Sequence, residues 1–270
     1  MNTGRVYDLA MQEVGGSLER PGGERLAWRA VEGAAPATLW LGGFRSDMTG
    51  TKAQALAEWA FSQGRAYLRF DYFGHGESSG AFEDGTVSRW REDALAVIDQ
   101  LTRDELVLVG SSMGAWIACL AALARPERVK GLVLVAPAPD FTEKLLAPDI
   151  PPEGRAALAD GGVWLRPSAY GDPYPITREL LEDGARWSIL DGEAIPIGVP
   201  VRILQGAQDP DVPWRHALKL AQALKGPDVH FDLIKDGDHR LSRPRDLAHL
   251  MGAVDEMVAM DADLVGKAAG

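Results

Sequence analysis

The sequence predicts an α/β protein with a mostly parallel central sheet, helices on both faces and one inserted segment. Three observations carry this. Short apolar runs such as Leu106-Val107-Leu108-Val109 alternate along the chain with segments whose apolar residues recur at helical spacing. Those runs are apolar at every position, as strands covered on both faces are. The alternation breaks once, over residues 138–198, where Pro, Gly and scattered aromatics replace it.

The elements follow in order. Residues 13–31 hold the turn Arg20-Pro21-Gly22-Gly23-Glu24 between two alternating stretches, which predicts a β-hairpin. Residues 37–41 are a short strand ending at Gly42-Gly43. Residues 52–63 place Ala55, Leu56, Trp59 and Ala60 on one helical face and stop before Gly64. A strand over 66–70 leads into the Gly- and Ser-rich loop 71–80. Residues 87–101 predict a helix with Leu95, Ile98 and Leu101 on one side. The strand 106–109 runs through Gly110 straight into a helix that reaches Ala124, and 129–135 is a further apolar strand. Strands over 201–204 and 229–234 and helices over 214–224 and 247–260 complete the series. The break at 138–198 is too long for a plain connection. It is expected to form a cap over the C-terminal edge of the sheet, on a core made from residues 1–137 and 199–270. Residues 266–270 are expected to fray.

Composition narrows the class of function. A chain of 270 residues with 46% hydrophobic and 25% charged residues suits one large globular domain. Its net charge of −11 opposes binding to phosphate backbones, so no nucleic-acid partner is expected. No apolar run reaches membrane-spanning length. Residues 1–18 show neither a basic start with an apolar block nor an Arg-rich, acid-poor leader. With a single cysteine, Cys119, this leads to the expectation of a cytoplasmic location without disulfides. No Cys/His/carboxylate set has metal-ligand spacing and no phosphate-binding glycine motif is in place, so no metal and no cofactor is expected.

Gly110-Ser111-Ser112-Met113-Gly114 fits G-x-S-x-G, and its place between a strand and a helix gives the motif weight. A serine on such a tight turn points its hydroxyl into a cleft, and the spacing selects Ser112. A serine needs a base, and the base needs an orienting acid. His239, in the loop after the strand 229–234, stands at the sheet edge where ligands bind in open α/β folds. The acid belongs after the strand 201–204, where Asp209 and Asp211 compete; Asp209 is favoured, Asp211 reads as a turn or cap residue, and Asp238 as a loop residue. The backbone N–H groups of Met113 and Phe44 are the expected oxyanion donors. Gly74-His75-Gly76-Glu77-Ser78 is expected to shape the sheet edge, and Cys119 to fill the core.

These residues bring the chain close to a known family. It resembles the α/β-hydrolases and, among them, the mitochondrial palmitoyl-protein thioesterase and acyl-glucuronide esterase group with its bacterial relatives. The likeness rests on Met48-Thr49-Gly50-Thr51-Lys52-Ala53, on Thr86 with Trp90-Arg91-Glu92-Asp93, on Gly110 to Trp116, on Gly162-Val163-Trp164, Pro167-Ser168 and Tyr170, and on Val212-Pro213-Trp214 and Asp238-His239-Arg240. It spans roughly residues 39–241, with 140–161 showing no clear counterpart. The resemblance implies the α/β-hydrolase fold, a Ser112–Asp209–His239 triad and action on an acyl ester or thioester of small-molecule type.

The expectation is a serine hydrolase that works through an acyl-enzyme, with an apolar pocket lined from Phe44, Trp116 and the cap aromatics, Trp164 and Tyr170 among them. The same triad serves C–C bond, lactone or amide cleavage and acyl transfer to an alcohol. A non-catalytic ligand-binding protein on the same fold is the alternative of another class.

Overall fold

The computed structural model describes residues 12–167, 172–192 and 194–260. The predicted hairpin is present: β1 (Val14–Glu19) and β2 (Arg25–Val31) pair antiparallel with Val14 opposite Ala30, closed by Arg20 N–H donating to Glu24 O at 2.8 Å. β2 runs antiparallel to β4 (Arg65–Phe70). From there the sheet is parallel through β3 (Ala34–Leu41), β5 (Leu106–Ser111), β6 (Val129–Val135), β9 (Val201–Gly206) and β10 (Val229–Ile234). The spatial order is β1-β2-β4-β3-β5-β6-β9-β10.

The all-apolar strands divide their side chains between two cores. In β5, Leu106 and Leu108 join one face and Val107 and Val109 the other, as the two-residue period requires. The leucine face packs on α2 (Val87–Leu101) and α3 (Met113–Ala124); the valine face packs on α1 (Thr51–Gln63) and α8 (Pro244–Ala259). α7 (Trp214–Ala223) adds Leu220 to the leucine side. Each fully buried aliphatic side chain contributes about 1.5–3 kcal/mol. Local signals set the helix ends. Thr86 Oγ1 accepts from Arg89 N–H at 3.2 Å to start α2, and Gly64, at φ 61°, ends α1. α8 begins at Pro244, three residues before the predicted start, because proline fits the first helical position and Asp246 accepts from Arg243 N–H.

The segment between β6 and β9 has more order than its sequence suggested. A π-turn (Thr142–Leu146), one helical turn α4 (Ala147–Asp149), α5 (Pro152–Ala159), the hairpin of β7 (Val163–Arg166) and β8 (Tyr174–Thr177), and α6 (Arg178–Ala185) follow one another. All of these are short, so no period shows over a useful window. Buried carboxylates tie the segment down. Asp140 accepts from Ile189 and Leu190 N–H at 2.9 Å and from Ser188 Oγ at 2.7 Å. Asp183 accepts from Ser88 N–H at 2.7 Å and Ser88 Oγ at 2.6 Å, which fixes α6 to the start of α2. Among the described residues no helix is long and apolar enough to cross a membrane. Residues 266–270 lie outside the described residues.

Candidate active site

Ser112 sits between β5 and α3 at φ 55° and ψ −118°, a strained conformation for a residue with a side chain. The turn is held from both sides: Ser112 N–H donates to Val135 O at 2.9 Å, and its carbonyl accepts from Ala115 N–H at 3.0 Å and Ala138 N–H at 3.2 Å. Two glycines make room for it. A Cβ on Gly110 would lie 2.6 Å from Ala115 Cα, and one on Gly114 would lie 2.6 Å from the Leu41 carbonyl carbon. No side chain fits either space, so the motif's glycines are steric requirements here.

Asp209 and His239 come from the loops after the neighbouring parallel strands β9 and β10. Loop-to-loop bonds set their distance: Gln208 N–H donates to Gly237 O and Ala207 N–H to Ile234 O, both at 2.9 Å. Gly206 admits this approach, since a Cβ there would stand 2.6 Å from the Gly237 carbonyl carbon. The result is a contact of 2.8 Å between His239 Nδ1 and Asp209 Oδ2. The Asp209 side chain is fully buried while His239 keeps 18% of its side chain exposed. Asp209 Oδ1 accepts from Asp211 and Val212 N–H at 2.8 Å, and Oδ2 also accepts from Gln205 Nε2 at 3.1 Å. A carboxylate so supplied with donors holds the imidazole with its proton on Nδ1 and leaves Nε2 as a base.

Ser112, Met113, Phe44 and His239 line one cleft of about 620 Å³ at the C-terminal ends of the parallel strands. Gly43 brings the loop after β3 beside the serine: a Cβ on it would be 3.5 Å from Ser112 Cβ. Met113 opens α3, where first-turn N–H groups have no partner within the helix. The inserted segment supplies the apolar wall through Phe141, Leu145, Leu146, Tyr174 and Ile176.

The structure also places residues that the sequence did not single out. Gln205 lies under Asp209, fully buried. Lys52 Nζ donates to Arg240 O at 2.5 Å, beside His239, and burial pulls its ammonium down to about 8. Gly50-Thr51-Lys52 forms part of the family resemblance, but its place on the cleft wall shows only in three dimensions. Asp211 lines the cleft, and Asp238 Oδ1 accepts from Leu241 N–H at 3.0 Å within its own loop. Among the described residues, Asp209, Asp211 and His239 form a set of metal-type donors within 4.8 Å. Linear spacing concealed this set because its members come from two loops. Protein donors already engage both oxygens of Asp209.

The expected aromatic pocket is corrected. Trp116 is fully buried behind the cleft wall, edge-on to Phe141 at 5.8 Å, with its Nε1 donating to Trp187 O at 3.3 Å. Trp164 faces inward from β7 against α5, close to Gly154. Neither lines the cleft; Phe141 and Tyr174 do. Tyr170 lies outside the described residues. Helix α3 is sandwiched between sheet and insertion, so its aromatic residue enters the core.

The Hydrolase_4 family model (serine aminopeptidase, S33) matches residues 45–182. The mitochondrial palmitoyl-protein thioesterase ABHD10 of Bos taurus is 37% identical over 243 residues, covering 89% of this chain and 79% of that protein. The chain belongs to this family of α/β-hydrolases. Two solved structures match the hydrolase closely. A putative hydrolase from Agrobacterium vitis S4 is 44% identical with a TM-score of 0.87, covering 92% of this chain and 99% of that one. The mouse α/β-hydrolase domain-containing protein 10 is 34% identical with a TM-score of 0.83, covering 91% and 98%. The relatives also correct one expectation. ABHD10 proteins are mitochondrial by name, which overturns the cytoplasmic location inferred from residues 1–18 and the lone cysteine. A cysteine count reports redox conditions and does not distinguish one reducing compartment from another.

Proposed function

We propose that this α/β-hydrolase cleaves an acyl ester or thioester of a small molecule through an acyl-enzyme on Ser112. The observation that carries the reading is the 2.8 Å contact of His239 Nδ1 with buried Asp209, in the same cleft as a serine on a strained strand–helix turn. His239 Nε2 takes the Ser112 proton as Oγ attacks the carbonyl carbon. The N–H groups of Phe44 and Met113 receive the negative oxygen of the tetrahedral intermediate, each worth about 3 kcal/mol. His239 then gives its proton to the leaving alcohol or thiol, and water repeats the sequence to release the acid. These steps draw on the chain's own residues and one water molecule. The inserted segment, residues 138–198, acts as the cap that selects the acyl group, since Phe141, Leu145, Leu146 and Tyr174 wall the cleft. The thioesterase name of the ABHD10 relatives supports a thioester as well as an ester substrate.

The test is hydrolysis of p-nitrophenyl esters from C2 to C16 and of an acyl thioester, by wild type and Ser112→Ala. Burial of each methylene is worth about 0.8 kcal/mol, so kcat/KM should climb about fourfold per carbon from C2 until the acyl chain reaches the cap wall. Ser112→Ala should lose at least about a thousandfold while keeping its fold. Turnover that survives in Ser112→Ala would refute the reading.

A further inference from the structure

The loop that carries Phe44 is a strained turn. Ser46 N–H donates to Gly43 O at 3.1 Å, closing a four-residue turn. Arg45, its third residue, has φ 55° and Phe44 is not left-handed, which is the type II pattern that favours glycine at the third position. Arginine there is strained, and the turn relaxes to type I if the Phe44–Arg45 peptide flips.

One contact opposes that flip. Arg45 N–H, the N–H of that same peptide, donates to His75 Nε2 at 3.2 Å. His75 Nδ1 lies 3.0 Å from Phe73 O. A carbonyl only accepts and a backbone N–H only donates, so the ring is neutral, with its proton on Nδ1 and its lone pair on Nε2 aimed at Arg45. His75 is 3% exposed and held in a cage, with ring centroids of Tyr72, Phe82 and Trp90 at 5.7, 5.1 and 5.3 Å. Trp90 Nε1 donates to the same Phe73 carbonyl at 3.1 Å. The Phe44 ring stands on the same cage, 4.9 Å from Phe82 and 5.8 Å from Trp90. Burial keeps the imidazole uncharged by pulling it down to about 4.

We infer that His75 is a positioning residue for the oxyanion loop: its Nε2 lone pair locks the Phe44–Arg45 peptide and so holds the shape of the strained turn that carries Phe44, whose own N–H belongs to the preceding Gly43–Phe44 peptide, beside Ser112. This rests on the hydrolase reading above, and goes beyond it by giving the Gly74-His75-Gly76 loop a part in turnover. Substrate binding to the cap wall does not depend on the lock; stabilisation of the developing oxyanion does.

The experiment compares His75→Phe, which keeps a ring without an acceptor, with His75→Gln, which offers a carbonyl oxygen near the Nε2 position. Both are made in wild type and in Arg45→Gly, where a left-handed residue 45 is unstrained. The readouts are kcat and KM on the best p-nitrophenyl ester and the rate of Ser112 phosphonylation by a p-nitrophenyl phosphonate. His75→Phe should lower kcat and the phosphonylation rate together by about 10- to 100-fold with KM within about twofold. His75→Gln should recover at least about a third of the lost rate, and in Arg45→Gly the His75→Phe penalty should shrink below about threefold. A His75→Phe enzyme with undiminished kcat, or a His75→Gln enzyme as slow as His75→Phe, would overturn the inference, as would an undiminished penalty in Arg45→Gly. If His75→Phe does not fold, the His75→Gln penalty in the two backgrounds decides by the same criterion. Wild type that turns over no ester or thioester would instead overturn the function, so the two failures are distinct.

Discussion

His239 Nδ1 meets Asp209 Oδ2 at 2.8 Å, although the two residues lie on separate loops. Asp211, two residues from Asp209, donates its backbone N–H to the Asp209 carboxylate in the geometry described above. Asp209→Asn therefore replaces an acceptor of the imidazole proton by an amide that stabilises the wrong tautomer. It should cost about 10⁴ in kcat. Asp211→Asn preserves that backbone N–H and should cost less than about tenfold. Steady-state kinetics of the two variants on one ester check the ranking.

The same chemical change should have opposite effects at two glycines. Gly114→Ala drives a methyl against the Leu41 backbone and should cost about 3 kcal/mol, roughly 6–12 °C in Tm. Gly252→Ala lies within α8, where an added Cβ meets nothing, and should add about 0.5–1 kcal/mol through helix propensity. Thermal unfolding of the two proteins gives the comparison directly.

Burial of His75 makes stability depend on pH. With its folded value near 4 and its ordinary value at 6.5, the unfolded chain binds a proton between these limits that the folded chain refuses. Stability from this group is complete above 6.5 and falls as the pH drops towards 4. Asp93, pushed up to about 6 by burial, works in the opposite direction between 3.8 and 6 and is common to wild type and variant. Between pH 7 and pH 5, wild type should therefore lose about 2 kcal/mol more than His75→Phe in urea unfolding. A difference independent of pH would show that the imidazole titrates normally.

Asp183→Ala removes the acceptor for both the N–H and the hydroxyl of Ser88. Trp187 Nε1 donates to that same hydroxyl at 2.7 Å, so three groups lose their arrangement together. The segment between β6 and β9 should open more often by about 2–3 kcal/mol while the sheet keeps its stability. Hydrogen exchange should then speed up over residues 174–190 and stay unchanged in β5 and β6.

Much of the site was legible because its signals are local. Ser112 announces itself through two glycines four residues apart at a strand–helix junction, and the glycine clashes explain why that spacing is obligatory. His239 and Asp209 were readable as loop residues after apolar strands. The pocket was not legible in the same way. Trp116 and Trp164 are aromatic and near the right elements, yet which way each side chain faces depends on how α3 and β7 pack, and packing put both behind the wall.

Local periodicity and turn chemistry, contained in the sequence itself, determined the alternating α/β order, the strained serine turn and the residue types available for catalysis. Only the tertiary structure decided which of two aspartates meets His239, that Gln205 and Lys52 support those loops, and that His75 lies behind the Phe44 turn. The reason is physical. Helix and strand signals arise between residues a few positions apart, whereas these contacts join loops 30 or more residues apart in most cases, through strand register and close backbone approach at Gly206 and Gly114.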